Sequence, residues 1–453
     1  MSIISTLENL MSAFSGFMWG TPLIILLVGG GFYFTIYSRF IPFRYFPHAI
    51  QILRGKYDDD DDPGQISHFE ALSSALASTV GMGNIGGVAL AIHTGGPGAL
   101  FWMWVSAIIG MATKYFTCTL SIMYRGKDDT GEVQGGPMYV IEEGLGKAYR
   151  PLAILFSVAG LIGCFVLFQA NQLAQIIRDL LYKPNALFLE NPMMGDAITG
   201  IVAAGIVSLV IFGGIKRIGK VASRMVPIMV LIYLMAALAI LGKHLSDIPM
   251  IFSSIFQDAF TGDAVLGGAL GSIIIVGIKR AAFSNEAGIG TEVMAHGAAR
   301  TKEPVREGLV AMMGPFIDTI VVCSITAFVI LASGVDFHGD NGVTLTVMAF
   351  KKELGLLGEI ILMIAVLSFS LSTMFGYSYY GRKCTSYLFG TKAKPIYNYF
   401  YVSTIVLASI ISIDIAINLI DGMFALMAIP TMVSALLLSP KVMKETRRYF
   451  STF

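Results

Sequence analysis

The ten residues Ser78-Thr79-Val80-Gly81-Met82-Gly83-Asn84-Ile85-Gly86-Gly87 sit in the middle of an apolar run that extends from 66 to 93. They place four glycines and three polar side chains at the centre of a stretch long enough to cross a bilayer. Two physical readings compete. The glycines can serve a close helix crossing, as small residues do in membrane bundles. Alternatively the helix unwinds at Gly81–Asn84, and its free peptide N–H and C=O groups face a cavity. A close crossing has no need of Thr79 and Asn84 beside the glycines, so the sequence favours unwinding.

Composition supports a membrane setting. Of 453 residues, 55% are hydrophobic and 13% charged, against about 25% charged in a soluble domain. Too few charges remain to coat a soluble surface. The net charge of +1 gives no bulk case for nucleic-acid binding. Cys118, Cys164, Cys323 and Cys384 lie in or beside apolar runs without CxxC spacing and read as packing residues. No HExxH or GxSxG motif marks an intramembrane enzyme, and no filter loop or charge ring marks a channel. The first Lys or Arg is Arg39, so the run Phe14–Tyr37 makes a poor signal peptide and is expected to stay as a span.

About eleven runs can each cross a bilayer as a helix: 14–38, 66–93, 97–124, 151–182, 196–213, 222–242, 264–297, 305–333, 355–381, 396–412 and 416–439. Lys and Arg concentrate in alternate loops, around Arg39–Lys56, Arg125–Arg150, Lys216–Arg224, Arg300–Arg306, Arg382–Lys394 and Lys441–Arg448. The opposite loops hold only Lys183, Lys243, Lys351 and Lys352. The positive-inside rule then puts the N-terminus outside, the C-terminus in the cytoplasm, and makes the span count odd. The acidic run Asp58–Asp62 falls in a cytoplasmic loop and reads as a solvated linker.

The seventh run carries Gly267-Gly268, Gly271-Ser272 and Gly277, followed by KRAAFSNEAGIG from Lys279 to Gly290. It too reads as interrupted near mid-depth, at Gly277, and it enters from the opposite side. Five runs begin with the second (66–242) and five with the seventh (264–439). The expected organisation is therefore residues 1–65 with one extra helix, two inverted five-helix halves, and a cytoplasmic tail at 440–453. Paired broken helices in opposed halves mark secondary transporters. Where a broken helix restarts, its N–H groups suit a carboxylate. Where the preceding half ends, its carbonyls suit a hard cation such as Na⁺.

Four stretches carry a family resemblance: GMGNIGGVALAI (Gly81–Ile92), GGPGALFWMWVSAIIG (Gly95–Gly110), GGPMYVIEEGLG (Gly135–Gly146) and AAFSNEAGIGTEVMAHGAA (Ala281–Ala299). They resemble the alanine or glycine:cation symporter family. The resemblance implies a LeuT-like core of ten helices in an all-α, multi-pass protein of the cell membrane. It also implies alanine or glycine as substrate and Na⁺ (or H⁺) as coupling ion, the alternative being a proton-coupled or exchanger-type amino-acid carrier on the same fold; no cofactor and no obligate protein partner are expected. In LeuT-like proteins an ion lies between the first broken helix and the eighth core helix. Carried onto this chain, that nominates the Ala77 and Val80 carbonyls, the Phe369 carbonyl, and the hydroxyls of Ser372 and Thr373. For substrate the candidates are Thr79, Gly83 and Asn84, the backbone of Ile275, Val276 and Gly277, and Phe168, Gln169 and Gln172 of the fourth run. A lining of Phe and Ile would exclude larger amino acids by overlap.

Asp318 lies deep in its run, about 20 Å from the cytoplasmic start. An intramembrane carboxylate is functional by default, and Lys279, Arg280 or Lys114 could pair with it. Lys279, Arg280, Glu286 and Glu292 are expected beyond the second break, on the cytoplasmic half of their run and near an inner gate. Asp414 and Asp421 read as interfacial.

Overall fold

The structure is a computed structural model that describes residues 3–59, 61–260, 269–337, 339 and 342–451, with the side chains of 3–4 and 269–272 outside that description. Gly267, Gly268 and the start of the seventh run at 264 therefore lie outside the described residues.

The chain opens with α1 (Ile3–Met18) and α2 (Thr21–Tyr37), which bend by 48° where one straight span over 14–38 was expected. Gly20 is extended at the corner and Pro22 sits in the first turn of α2, where its missing N–H costs no ladder bond. Trp19 anchors the corner by donating its Nε1–H to the Asp421 carbonyl at 2.9 Å.

The decisive stretch breaks as its composition suggests. Helix α3 (His68–Thr79) opens with a capping box between Ser67 and Glu70. It ends before Val80, and α4 (Gly83–Gly95) leaves at 51° to it. Then come α5 (Gly98–Met123), α6 (Lys147–Tyr182), α7 (Pro192–Ile211), α8 (Gly214–Lys243) and the short α9 (Ile248–Ala259). The second half contains α10 (Ala269–Asn285), the single turn α11 (Val293–His296), α12 (Pro304–Ser333), the short α13 (Val343–Leu354), α14 (Leu356–Phe389), α15 (Lys394–Ile410) and α16 (Ile413–Phe450). The sequence does not foresee α9 and α13, which are too short to span.

Among the described residues seven helices are long and apolar enough to cross a membrane, and the two bent pairs raise the number to nine. Helices α10 and α15 have 17 residues each, just short of the ~20 that a bilayer core asks for.

The second break is not where the glycines suggest. Helix α10 runs unbroken through Ile275, Val276 and Gly277 to Asn285, and the interruption is Glu286–Glu292, about 13 Å further along at 1.5 Å per residue. Gly277 serves a helix crossing instead. A Cβ there would come within 2.5 Å of Trp102 Cβ and 2.6 Å of the Ala99 carbonyl on α5. The ladder past Gly277 is intact, so these three residues offer no free peptide groups. In the true break Glu286, Gly288 and Gly290 all take positive φ (58°, 84° and 97°), a conformation that glycine adopts without strain.

Candidate functional site

At the first break the Gly81 N–H turns away from the Ala77 carbonyl, its partner in a continuous helix, and donates to Asn84 Oδ1 at 2.8 Å. The Asn84 N–H goes to the Gly81 carbonyl at 3.1 Å rather than to Val80. The ladder donors of Ala77 and Val80 are thus diverted, which leaves two carbonyls at the end of α3 available to a cation. Thr79 is buried and its hydroxyl has no hydrogen-bond partner among the described residues.

Helix α14 passes directly beside this break. A Cβ on Gly81 would run into the Thr373 hydroxyl and lie 3.5 Å from the Phe369 carbonyl. One turn away, Gly376 admits Ser78 in the same manner. The hydroxyls of Ser372 and Thr373 donate to the Phe369 carbonyl at 2.9 and 3.0 Å. That back-bonding uses their hydrogens and leaves oxygen lone pairs for an ion. Gly81, just past the end of α3, thus lies against Thr373 and the Phe369 carbonyl of α14; the nominated groups are all neutral oxygens, of the kind a hard ion prefers.

The amide of Asn84 does more than cap. Its Nδ2 donates to the Asp318 carboxylate at 2.7 Å and to the Asp318 carbonyl at 3.0 Å. The other Asp318 oxygen accepts from Ser284 at 2.7 Å and from Thr319 at 2.8 Å. Asn285 mirrors Asn84 at the second break. Its Oδ1 catches the Ala287 N–H at 2.9 Å, and its Nδ2 donates to Thr319 at 3.0 Å. Both breaks are therefore capped by an asparagine, and both asparagines reach adjacent residues of one π-helical stretch, Phe316–Cys323. Such stretches recur at functional sites. Ser284 and Asn285 escape a reading that puts the break at Gly277.

Glu286 lies in the break itself, not beyond it. Its carboxylate accepts from Tyr377 of α14 and from Thr291, each at 2.5 Å. Lys279 and Arg280 do not pair with Asp318. They converge on Asp421 of α16, Lys279 at 2.7 Å with a further 2.8 Å bond to Ser15 of α1. Asp421 is 1% exposed: it is buried inside the protein, where two cations pair with it. Lys114 of α5, also buried, interacts electrostatically with Glu286, Glu292 and Asp318.

The remaining nominated residues divide. Phe168 joins the two broken helices, edge-on to Phe283 at 5.2 Å between ring centres and against Gly86. Gly83 meets the end of α10, where a Cβ would lie 3.2 Å from Ser284 Cα. Gln172 is committed elsewhere: its Oε1 caps the Val343 N–H at 2.9 Å and its amide binds Gln175 and Asn171. Gln169 is buried on the same helix. Residues Val80 to Val88 are buried throughout, so in this conformation the junction is sealed on both sides. Outside the spans the acidic run is not wholly free linker, because Asp62 pairs with Lys302 at 2.7 Å and that bond holds the Lys302 ammonium above its ordinary range.

The chain is similar to known proteins. The sequence profile of the sodium:alanine symporter family matches residues 4–453. The sodium/alanine symporter AgcS of Methanococcus maripaludis is 40% identical over 97% of each chain. The probable sodium/glutamine symporter GlnT of Bacillus subtilis is 33% identical over 98% of this chain and 91% of its own. The crystal structure of MhsT in complex with L-phenylalanine superimposes with a TM-score of 0.59 at 14% identity, covering 86% of this chain and all of that one. That likeness concerns the fold.

Proposed function

Because the chain belongs to the sodium:alanine symporter family, we propose that it carries a small amino acid, alanine or glycine, across the cell membrane together with Na⁺. The carrying observation is the meeting of three elements at one buried point. Gly81 at the end of α3 packs against Thr373 of α14, and Asn84 is joined through Asp318 to Ser284 beside the asparagine-capped second break.

In this reading Na⁺ sits among the Ala77, Val80 and Phe369 carbonyls and the hydroxyls of Ser372 and Thr373. Neutral oxygens hold it without the desolvation cost of burying a partner carboxylate. The amino acid lies on the far side of the same break. The first turn of α4 receives its carboxylate, and the Thr79 hydroxyl, which has no partner of its own, adds a donor. Phe168 and Phe283, edge to face, form the apolar side of this pocket and would exclude a long side chain by overlap. Asp318 ties the two breaks together and does not itself hold the cation.

Helices α10 and α15 complete eleven spans: one extra, then two inverted sets of five. The N-terminus lies outside and the C-terminus in the cytoplasm. Transport alternates between faces as the broken helices rock about Asp318.

Uptake into proteoliposomes tests this. An inward Na⁺ gradient should drive accumulation of alanine and glycine, and excess leucine or glutamine should compete poorly. Accumulation that persists with Na⁺ replaced by choline on both sides would overturn the Na⁺ assignment. Strong competition by leucine would overturn the small pocket.

A further inference from the structure

Three ionisable side chains join the inner ends of both broken helices, and the site above uses none of them. His68 opens α3, His296 closes α11, and Glu307 lies in the first turn of α12. All three are buried, with exposures of 1%, 0% and 0%. Nδ1 of His68 bonds one Glu307 carboxylate oxygen, and Nδ1 of His296 bonds the other at 2.5 Å. The Nε2 atom of each ring is buried with no hydrogen-bond partner among the described residues.

A backbone seam covers this cluster. The Gln65 N–H donates to the Ala298 carbonyl at 2.8 Å, and the Arg300 N–H donates to the Ile66 carbonyl at 2.7 Å. Ile66 and Ala299 thus pair as a parallel bridge, and the Thr301 N–H reaches the Pro63 carbonyl at 3.1 Å. The segment leading into α3 and the segment leaving α11 are laced together, with the His–Glu–His cluster behind the lacing.

Proton counting constrains the cluster. An ionised carboxylate only accepts, so both Nδ1 atoms carry hydrogen. With both rings neutral the group keeps one uncompensated negative charge in the interior, which is strongly destabilising. Arg125 of α5 is within electrostatic reach of Glu307, but its N–H groups go to the carbonyls of Gly297, Ala299, Pro63 and Thr301. Cys118 of α5 is also within electrostatic reach of Glu307, and the buried Lys114 one turn before it interacts with Cys118 and Glu292. Glu292, one turn before His296, is a further buried carboxyl group on that side. Glu70 is spent in the α3 cap, Arg306 turns to the Tyr57 carbonyl, and His48 bonds Tyr449. Among the described residues no Lys or Arg side chain bonds the Glu307 carboxylate, which contacts only the two rings.

We propose that His68, His296 and Glu307 form a proton-binding site that latches the inner ends of the two broken helices. One proton, shared between the rings, makes the closed cluster neutral. Parting of the seam admits water, frees Glu307 from its rings and releases the proton to the cytoplasm. The direction of linkage follows: the closed state binds the extra proton, so acid on the inner side favours closure and alkali favours opening. The gating role rests on the transport reading, whereas the bound proton does not.

Two measurements on the full-length protein separate these. In proteoliposomes the initial rate of Na⁺-driven alanine uptake should change several-fold between about pH 6 and pH 8. Glu307→Gln should flatten that profile while keeping Na⁺ dependence; an unchanged profile in that variant overturns the latch. In detergent, without any transport, thermal stability of the wild type should fall as pH rises over the same range, because the native state holds a proton that the unfolded rings have lost. Glu307→Gln, or the double variant His68→Gln with His296→Gln if the first does not fold, should lose most of that slope. A wild type whose stability does not fall from pH 6 to pH 8 overturns the bound proton. Absence of Na⁺-driven uptake at every pH would sink the transport reading, and the stability slope would still decide the proton site.

Discussion

Asn84 shows how much one amide can hold in a membrane interior. Its oxygen restores a partner to the Gly81 N–H, and its nitrogen satisfies Asp318. Asn84→Ala orphans a buried donor and a buried carboxylate oxygen, each of which costs about 1–3 kcal/mol when unpaired. We expect a lower melting temperature together with weakened alanine binding, read by thermal unfolding and equilibrium binding on the same preparation. Normal values of both would free Asn84 of its role. Thr373 acts differently, through an oxygen aimed at Gly81. Thr373→Ala should raise the Na⁺ concentration for half-maximal alanine binding about tenfold, or ~1.4 kcal/mol, and Thr373→Ser should largely restore it. Unchanged Na⁺ affinity in the alanine variant would remove the proposed ion site.

At the scale of elements, two glycine-bearing helices meet different fates. Gly81 marks an unwound turn, and Gly277 marks a crossing between intact helices. Gly277→Ala should therefore lower stability, by pushing α10 off α5, while leaving the Na⁺ requirement of the surviving protein unchanged. A shifted Na⁺ requirement would mean that the crossing belongs to the site. This contrast marks what the sequence makes legible. The first break is readable because polar residues accompany its glycines, and the helix limits follow apolar runs closely over most of the chain. The second break is misplaced because glycine spacing alone does not separate close approach from unwinding. Its real signature is Asn285 followed by Gly288 and Gly290, the same pairing of an asparagine cap with glycines that marks Gly81–Asn84. Long-range partnerships such as Lys279 and Arg280 with Asp421 depend on which helices become neighbours, and hydropathy carries no record of that.

For the whole molecule, the closed junction gives the alternating-access proposal its shape. In the proposed arrangement ion and amino acid bind on either side of one unwound segment, so each should pre-order the peptide groups the other needs, and the coupling must be reciprocal. The most direct measurement is equilibrium binding of alanine to purified protein across a range of Na⁺ concentrations, paired with Na⁺ binding across a range of alanine. We expect alanine affinity to climb with Na⁺ and Na⁺ affinity to climb by the same factor with alanine. Alanine binding of equal strength in Na⁺ and in choline would contradict the shared site at the broken helices.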